Sequence, residues 1–367
     1  MKNAIDNGMS VYLDLLRFLA AVAVVLSHVW RLIFPDFPLP WPGHAAVIVF
    51  FVISGYVIAF ATDRPGQTAG RYALYRAVRI LSVTIPALLL AVCIAPLSGT
   101  FQIPLAGQIP FPASEFWRAT WMNMLFLGES SWFGRILPPF NPPYWSLSYE
   151  VWYYVIFGAW VFSPARWRLA VVLLSIVFAG LKIALLLPVW LLGVAAYRYR
   201  IRLGQDTALR LFILTALFAF AFYWFDWSVL IRSLLQHAAP AFMGSLHGSD
   251  QFLGDYILGS IVAVNFVAAA SMGSYFSGLI RTQKSVRKLA SFTLSSYLMH
   301  MPLTVLLWNG LGVHGSVAYV VLLVCGIIVV GSFTERKHRA IRHWLESRCH
   351  ISQPLEGSTS RPVDRSK

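Results

Sequence analysis

The sequence is poor in charged residues. Only 12% of its 367 residues are Asp, Glu, Lys or Arg, whereas 58% are hydrophobic. Soluble domains carry about 25% charged residues, so this composition excludes a soluble globular enzyme. The apolar residues fall in blocks of roughly 15–25, the length that crosses a ~30 Å hydrocarbon core.

Cysteine is equally scarce. Cys93 and Cys325 lie in apolar blocks and Cys349 lies in the basic C-terminal region. This distribution indicates neither a disulfide framework nor a thiolate metal site, and no metal is expected. The sequence also lacks the internal repeat that marks many transporters.

The first apolar block begins near Tyr12 after a short polar leader, as in a secretory signal peptide. It contains Asp14, Arg17 and His28, however, and no convincing small-x-small cleavage site precedes the next block. We therefore interpret it as a retained first helix.

Apolar blocks separated by short polar stretches predict an all-α polytopic membrane protein of about ten transmembrane helices, with both termini in the cytoplasm. The fifth and sixth segments are divided only by Lys182 and Pro188, so they form either a short hairpin or one long broken helix. The predicted spans are 12–34, 44–61, 77–97, 144–162, 169–181, 184–197, 209–230, 253–275, 290–309 and 316–334.

The basic residues predict the orientation of these helices. With both termini in the cytoplasm, 22 of the 29 Lys and Arg residues face the cytoplasm, 4 face the opposite side and 3 lie within spans. This asymmetry follows the positive-inside rule, and it collapses if the fifth and sixth segments make a single crossing. Topology thus explains the net charge of +14 without a nucleic-acid partner.

Two regions lie outside the predicted spans. The longest extracytoplasmic segment, 98–143, is rich in proline and aromatic residues, and its stretch 116–127 is expected to dip into the membrane interface. We divide the chain into a membrane domain, 1–340, and a basic cytoplasmic tail, 341–367, that is expected to be largely disordered.

The first helix carries two ionisable residues on one face. Arg17 and His28 are separated by about three helical turns, or ~16 Å along the axis. A charged side chain inside the membrane costs from ~2.5 to more than 10 kcal/mol, so each is a functional candidate. A single helix-end histidine is otherwise an interfacial residue, but the face shared with Arg17 favours a functional role.

A second candidate site lies at the cytoplasmic mouth of the third helix, in RYALYRAVRI. Arg76 and Arg79 share one face because they are three residues apart. Ordinary positive-inside charge explains Arg76 better than Arg79, which an apolar run follows. Together with Arg17 at similar depth, the two guanidinium groups are predicted to clamp the phosphates of an anionic cofactor.

The fourth helix opens with NPPYWSLSYEVWYY, which places Glu150 ~9 Å into the membrane. This depth is close to that inferred for His28, and a carboxylate there would orient the imidazole and raise its basicity. The alternative is a structural Glu150 paired with Lys182 or with a backbone group. Ser146 lies one turn above on the same face. The neighbouring Trp145 suits stacking on a ring of the substrate, and interface anchoring explains it equally well.

Two further helices carry polar residues. In FFVISGYVIAF, Ser54 and Gly55 are small residues suited to close helix packing. SFTLSSYLMHMPL in the ninth helix has a polar stripe in which the serines are best explained by packing. Tyr297 and His300 of that stripe are predicted, with Ser146 and Trp145, to bind substrate.

These motifs occur in the order found in the acyltransferase 3 family of membrane proteins, which the chain resembles from about residue 10 to residue 340. The resemblance rests on Arg17-x10-His28, FFVISGY, Arg76-x-x-Arg79, YWSLSYEVWYY and SSYLMHMPL, followed by FTER before a basic tail. Each motif is weak alone, but five in order are specific.

The resemblance implies a ten-span enzyme that transfers acetyl or other short acyl groups from cytoplasmic acyl-CoA to hydroxyl groups, usually of sugars. It implies that His28 is catalytic with Arg17 as its partner, that Arg76 and Arg79 bind acyl-CoA, and that Glu150 is a functional acid. The chain resembles the stand-alone members, which lack an appended extracellular hydrolase-like domain.

The expected co-substrate is therefore acetyl-CoA, and the expected acceptor is a glycan or a lipid-linked sugar. The expected location is the bacterial inner membrane, with lipid as the surrounding partner. A transporter or flippase of a glycan or small anion is the alternative, because buried charges also line transport paths. The missing repeat and the ordered motifs favour the enzyme.

Overall fold

A computed structural model of the chain describes residues 5–34, 36, 41–95, 113–199, 201–314 and 317–348. All regular secondary structure in these residues is helical, which confirms the predicted all-α class. The α-helices are α1 Asn7–Ile33, α2 Gly43–Thr62, α3 Ala69–Ile94, α4 Phe116–Met124, α5 Trp145–Phe162, α6 Ala165–Ala179, α7 Leu181–Arg198, α8 Gln205–Trp224, α9 Trp227–Ala238, α10 Pro240–Leu246, α11 Phe252–Ala269, α12 Ser277–Arg281, α13 Gln283–Ala290, α14 Thr293–Val305, α15 Val317–Phe333 and α16 His338–Arg348.

Each of the ten predicted spans overlaps one of these helices, but not all are long and apolar enough to be candidate spans. Seven segments of the described chain meet both requirements, and an eighth is added if the bent pair α13–α14 counts as one span. Helix α6 is too short at 15 residues. Helix α5 is less apolar because it holds Glu150 and several Tyr and Trp residues. The count of ten spans and the orientation of the termini stay predictions.

The break between the fifth and sixth predicted spans lies at Gly180, and not at Lys182 or Pro188 as the sequence suggested. Gly180 has φ +90°, and a Cβ there would collide with Ser131. Only glycine adopts this backbone conformation without strain. Helix α7 continues through Pro188.

Helices α2 and α7 form the closest pair in the bundle. The backbone of Gly193 in α7 lies directly against the Val52 carbonyl of α2, and that of Gly55 lies against the Trp190 carbonyl in return. Small residues permit such close approach between membrane helices. Gly55 thus has the close packing role that the sequence predicted, and Gly193 has the same role on α7. Ser54, the residue before Gly55, also forms a hydrogen bond to Glu150.

Gly193→Ala is expected to lower the stability of the protein by about 1–3 kcal/mol, because the added methyl group meets backbone that cannot yield by a rotamer change. The measurement is the midpoint of thermal unfolding in detergent. The matched control is Gly70→Ala in α3, where a Cβ has nothing within 4 Å. Alanine there is expected to be neutral or slightly stabilising. Equal midpoints for the two variants would contradict the prediction.

Helix α16 crosses the predicted boundary between membrane domain and tail. It packs on α3, where the Tyr75 hydroxyl donates to Glu346 at 2.6 Å and the Arg342 guanidinium lies 4.7 Å from the centre of the Tyr75 ring. The beginning of the predicted tail is therefore helical. Residues 349–367, for which disorder was predicted, lie outside the described residues.

Candidate active site

A cavity with an empty volume of about 750 Å³ lies where α1, α2, α3, α5 and α14 meet. It brings together three arginines and one carboxylate, Arg17, Arg76, Arg79 and Glu150, which are far apart in the sequence. Arg17 lies in the N-terminal half of α1, and Arg76 and Arg79 lie in that of α3, so we name this space the arginine cavity.

Two of the arginines have local partners, and one of these two keeps an unused donor. Arg17 Nη1 lies 3.2 Å from Asp14 Oδ1, one turn back on α1. The Arg76 guanidinium lies 5.9 Å from the centre of the Tyr154 ring, and its Nε is buried without a hydrogen-bond partner. Buried donors without partners are rare in proteins, so Arg76 is suited to an anionic ligand.

Glu150 faces the same cavity and is fixed by two hydroxyl groups. Ser54 Oγ donates to Glu150 Oε1 at 2.7 Å, and the Tyr154 hydroxyl donates to the same oxygen. Trp190 Nε1 in turn donates to Ser54 Oγ at 3.1 Å. The carboxylate is within electrostatic reach of Arg17 and Arg76. Its negative charge therefore balances part of their positive charge in a low-dielectric space.

Ser146 and Tyr297 form the end of the cavity that is further along α14. Their hydroxyls are hydrogen-bonded at 2.5 Å, and the Tyr297 hydroxyl lies 2.6 Å from the Pro143 carbonyl oxygen, to which it donates. Both residues line the arginine cavity, and their role in binding substrate stays a prediction. His300 lies one turn further along α14 from Tyr297.

His28 lies next to His300, outside the lining of the arginine cavity. The His28 Nδ1 is 2.8 Å from the Val24 carbonyl, which can only accept, so Nδ1 carries the proton. Nε2 is then the basic nitrogen. The two imidazole rings are 5.2 Å apart between their centres.

His300 has the same arrangement. Its Nδ1 donates to the Ser296 carbonyl at 2.9 Å, and its Nε2 is fully buried without a hydrogen-bond partner. Two imidazoles on different helices thus lie side by side, each with Nε2 as its basic nitrogen. A proton donor such as a hydroxyl group would satisfy these nitrogens.

The structure does not place Glu150 against His28. The imidazole is held by Val24, and the carboxylate is held by Ser54 and Tyr154 on the side of the arginines. Equal depth inferred from helical rise therefore did not make the two side chains neighbours. The predicted alternative of a pairing with Lys182 is wrong, since Lys182 Nζ lies 3.2 Å from Glu129 Oε2.

Trp145 lies away from the arginine cavity, and its ring stacks on His44 at a centre-to-centre distance of 6.0 Å.

Other polar partners were missed from the sequence. Glu335, in the FTER segment, accepts from the backbone N–H groups of Leu294 and Ser295 at the start of α14. The i, i+4 spacing of Glu150 and Tyr154 was visible in YEVWYY and could have indicated their pairing.

Comparison with known proteins supports the resemblance noted from the motifs. A family profile described as "Acyltransferase domain" matches residues 10–335. The chain is also 32% identical over 145 residues to the exopolysaccharide production protein ExoZ of Rhizobium meliloti (strain 1021). That match covers 39% of this chain and 43% of the relative, so it spans less than half of either protein.

No solved structure shows a significant match to the chain. The family profile, by contrast, extends from the first turn of α1 to Glu335, and so it includes every residue of the arginine cavity. The chain therefore belongs to the acyltransferase 3 family, and its described residues form a helical bundle with seven candidate membrane spans.

Proposed function

We propose that this acyltransferase moves an acetyl or other short acyl group from cytoplasmic acyl-CoA to a sugar hydroxyl of an exopolysaccharide, a lipopolysaccharide or a related glycan. The single observation that carries the proposal is the convergence of Arg17, Arg76 and Arg79 on one cavity. Three guanidinium groups in a largely apolar bundle are costly unless an anion compensates their charge.

The phosphates of coenzyme A are the anions that fit this role. Arginine presents a planar fork of N–H donors that matches phosphate oxygens. The pantetheine arm would then extend along α1 from the arginines toward His28. Helical rise gives ~16 Å for this separation, a distance that such an arm can bridge.

His28 is the group proposed to perform the chemistry. Its Nε2 takes the proton of the acceptor hydroxyl while the hydroxyl oxygen attacks the thioester carbonyl carbon. The carbon–sulfur bond then breaks, the acyl group stays on the sugar oxygen, and the coenzyme A thiolate leaves and takes up a proton. His300, with its ring beside His28, would accept a hydrogen bond from another hydroxyl of the acceptor through its Nε2.

The acceptor class rests on the partial relative, whose printed name concerns exopolysaccharide production. The predicted topology completes the proposal. Ten spans with both termini in the cytoplasm would put the start of α1 and α3, and hence the arginines, on the cytoplasmic side of a bacterial inner membrane. His28 would then lie near the outer side, where the glycan is available.

The test is release of coenzyme A from labelled acetyl-CoA by the purified protein, with and without a de-O-acetylated glycan. Glycan-dependent release together with label on the glycan would support the proposal. A transporter would leave the thioester intact, and this result would contradict it.

Arg79→Ala is expected to raise the KM for acyl-CoA by roughly tenfold or more, because a charge-assisted hydrogen bond contributes ~1.5–3 kcal/mol. The KM for the acceptor should stay the same, since the lost contact is to the cofactor. Arg76→Ala is expected to act in the same way. Arg79→Lys should also be impaired, because an ammonium group cannot form the bidentate fork.

The matched control is Arg64→Ala. Arg64 follows the C-terminal end of α2, lies on the Phe60 ring and does not line the arginine cavity. This control should bind acyl-CoA normally. Calorimetry gives the affinity directly. An unchanged affinity in Arg79→Ala would show that the arginine cavity does not hold the phosphates.

A further inference from the structure

A second cavity, with an empty volume of about 570 Å³, lies at the opposite end of the bundle from the arginines. It is formed by the N-terminal ends of α2 and α11 and by the turn between α8 and α9. We name it the outer cavity, and the residues that matter for its chemistry are Trp41, His44, Tyr223, Asp226, Gln251 and Asp255.

The outer cavity contains a buried His–Asp pair. His44 Nε2 lies 2.9 Å from Asp255 Oδ1, and Asp255 is only 1% exposed. The second carboxylate oxygen, Asp255 Oδ2, is buried without a hydrogen-bond partner. A buried carboxylate oxygen without a donor is costly, so the site is built for a ligand that donates a hydrogen bond.

A second polar atom of this cavity is also unsatisfied. Trp41 Nε1 is buried without a partner, and it can only donate. The cavity therefore offers one unused acceptor, on Asp255, and one unused donor, on Trp41. A hydroxyl group both donates and accepts, so a molecule with neighbouring hydroxyls satisfies both atoms.

The charge of the outer cavity excludes an anionic ligand. Asp226 and Asp255 both line it, whereas Arg232, which is close by in the chain, lies 2.7 Å from Asp250 and is not part of the lining. The indole of Trp41 and the phenol of Tyr223 add aromatic surface. Aromatic faces with a few fixed polar groups are typical of pockets for neutral, ring-shaped ligands.

The outer cavity also adjoins the proposed catalytic base. Gly43, part of its wall, lies directly against Ser27 of α1, the residue before His28. Ser27 Oγ is in turn 3.2 Å from His28 Nδ1. The wall of the cavity therefore contacts α1 at the residue that precedes His28, at the end of α1 remote from the arginines.

We propose that the outer cavity binds a sugar residue of the acceptor. Asp255 accepts a hydrogen bond from one sugar hydroxyl, Trp41 donates to another, and the bound sugar presents a neighbouring hydroxyl toward His28. His44 holds the Asp255 carboxylate in position. This assignment rests on the proposed function, and it gives donor and acceptor separate cavities on opposite sides of His28.

Asp255→Asn is expected to raise the acceptor KM at least tenfold while the KM for acetyl-CoA stays unchanged. The amide keeps the shape of the side chain but places an N–H₂ group where an oxygen accepted. Trp41→Phe is the second variant, because it keeps an aromatic ring and removes the N–H donor together with part of the indole surface. It is expected to raise the acceptor KM several-fold without affecting folding.

Binding provides a readout that does not need turnover. Calorimetry with oligosaccharides from a de-O-acetylated exopolysaccharide, in the absence of acetyl-CoA, should show the same losses in both variants. Glu129→Gln is the matched control, since it neutralises a buried, ion-paired carboxylate that does not line the cavity. Its oligosaccharide affinity should equal that of the wild type.

The outcomes separate this inference from the proposed function. Unchanged acceptor affinity in both Asp255→Asn and Trp41→Phe would overturn the assignment, and would leave a cavity that holds only water. Wild-type protein that binds the oligosaccharide through Asp255 but releases no coenzyme A would support the sugar site and contradict acyl transfer.

Discussion

His28→Ala is expected to lower acyl transfer by about 10²–10⁴-fold, the usual contribution of a general base. The protein should still fold, because the imidazole makes one backbone hydrogen bond within its own helix, to Val24. The affinity for acyl-CoA should also persist, since His28 does not line the arginine cavity. The rate of acetyl transfer under saturating acetyl-CoA measures the effect.

The control for this prediction is Ser27→Ala, one residue earlier in α1. Ser27 Oγ donates to the Val24 carbonyl at 2.7 Å and approaches His28 Nδ1, so the variant removes a neighbour of the imidazole and leaves Nε2 intact. We expect a loss of less than tenfold. Turnover of the alanine variant of His28 at the wild-type rate would show that another group is the base.

The pattern of apolar segments and the order of motifs were enough to predict the all-helical class and the family. Local periodicity carries that information because each span must be apolar along its whole length. The break at Gly180 was misplaced for a related reason. Pro188 is a stronger local signal for a helix break, but the contact that demands glycine, with Ser131, comes from a distant part of the chain.

The sequence also indicated which arginines share a face, but it could not show which helices are neighbours. Depth along a helix axis was inferred from rise per residue, and this placed Glu150 at the level of His28. In the structure Glu150 accepts a hydrogen bond from Ser54 of α2 and lies near Arg17. Contacts between helices depend on rotation and tilt, which apolar length does not determine.

The outer cavity was missed altogether. His44 lies in the first turn of α2 and Asp255 in the first turn of α11, so each looked like an ordinary polar residue at a helix end. Only the packing of α2 against α11 buries them together. A histidine and an aspartate 211 residues apart give no local signal of pairing.

Glu150→Gln is expected to reduce kcat/KM for acyl transfer by at least ~10²-fold, the lower range for an ionisable group that acts in catalysis. Glutamine fills the same space, and its carbonyl oxygen can still accept from Ser54 and Tyr154. What it lacks is the charge that balances Arg17 and Arg76. Without that charge the guanidinium groups repel one another, so the cavity should hold the donor in a different geometry.

Two further variants separate the charge of Glu150 from its hydrogen bonds. Ser54→Ala removes one donor to the carboxylate and keeps its charge, so a loss of less than tenfold is expected. Glu150→Asp keeps the charge but withdraws it by one methylene. Its loss in kcat/KM should lie between those of Ser54→Ala and Glu150→Gln. A Glu150→Gln enzyme within threefold of the wild type would show that the negative charge of the side chain is not needed. If the loss is instead present and appears in kcat with an unchanged KM for acyl-CoA, Glu150 acts on the reacting groups and not on donor affinity.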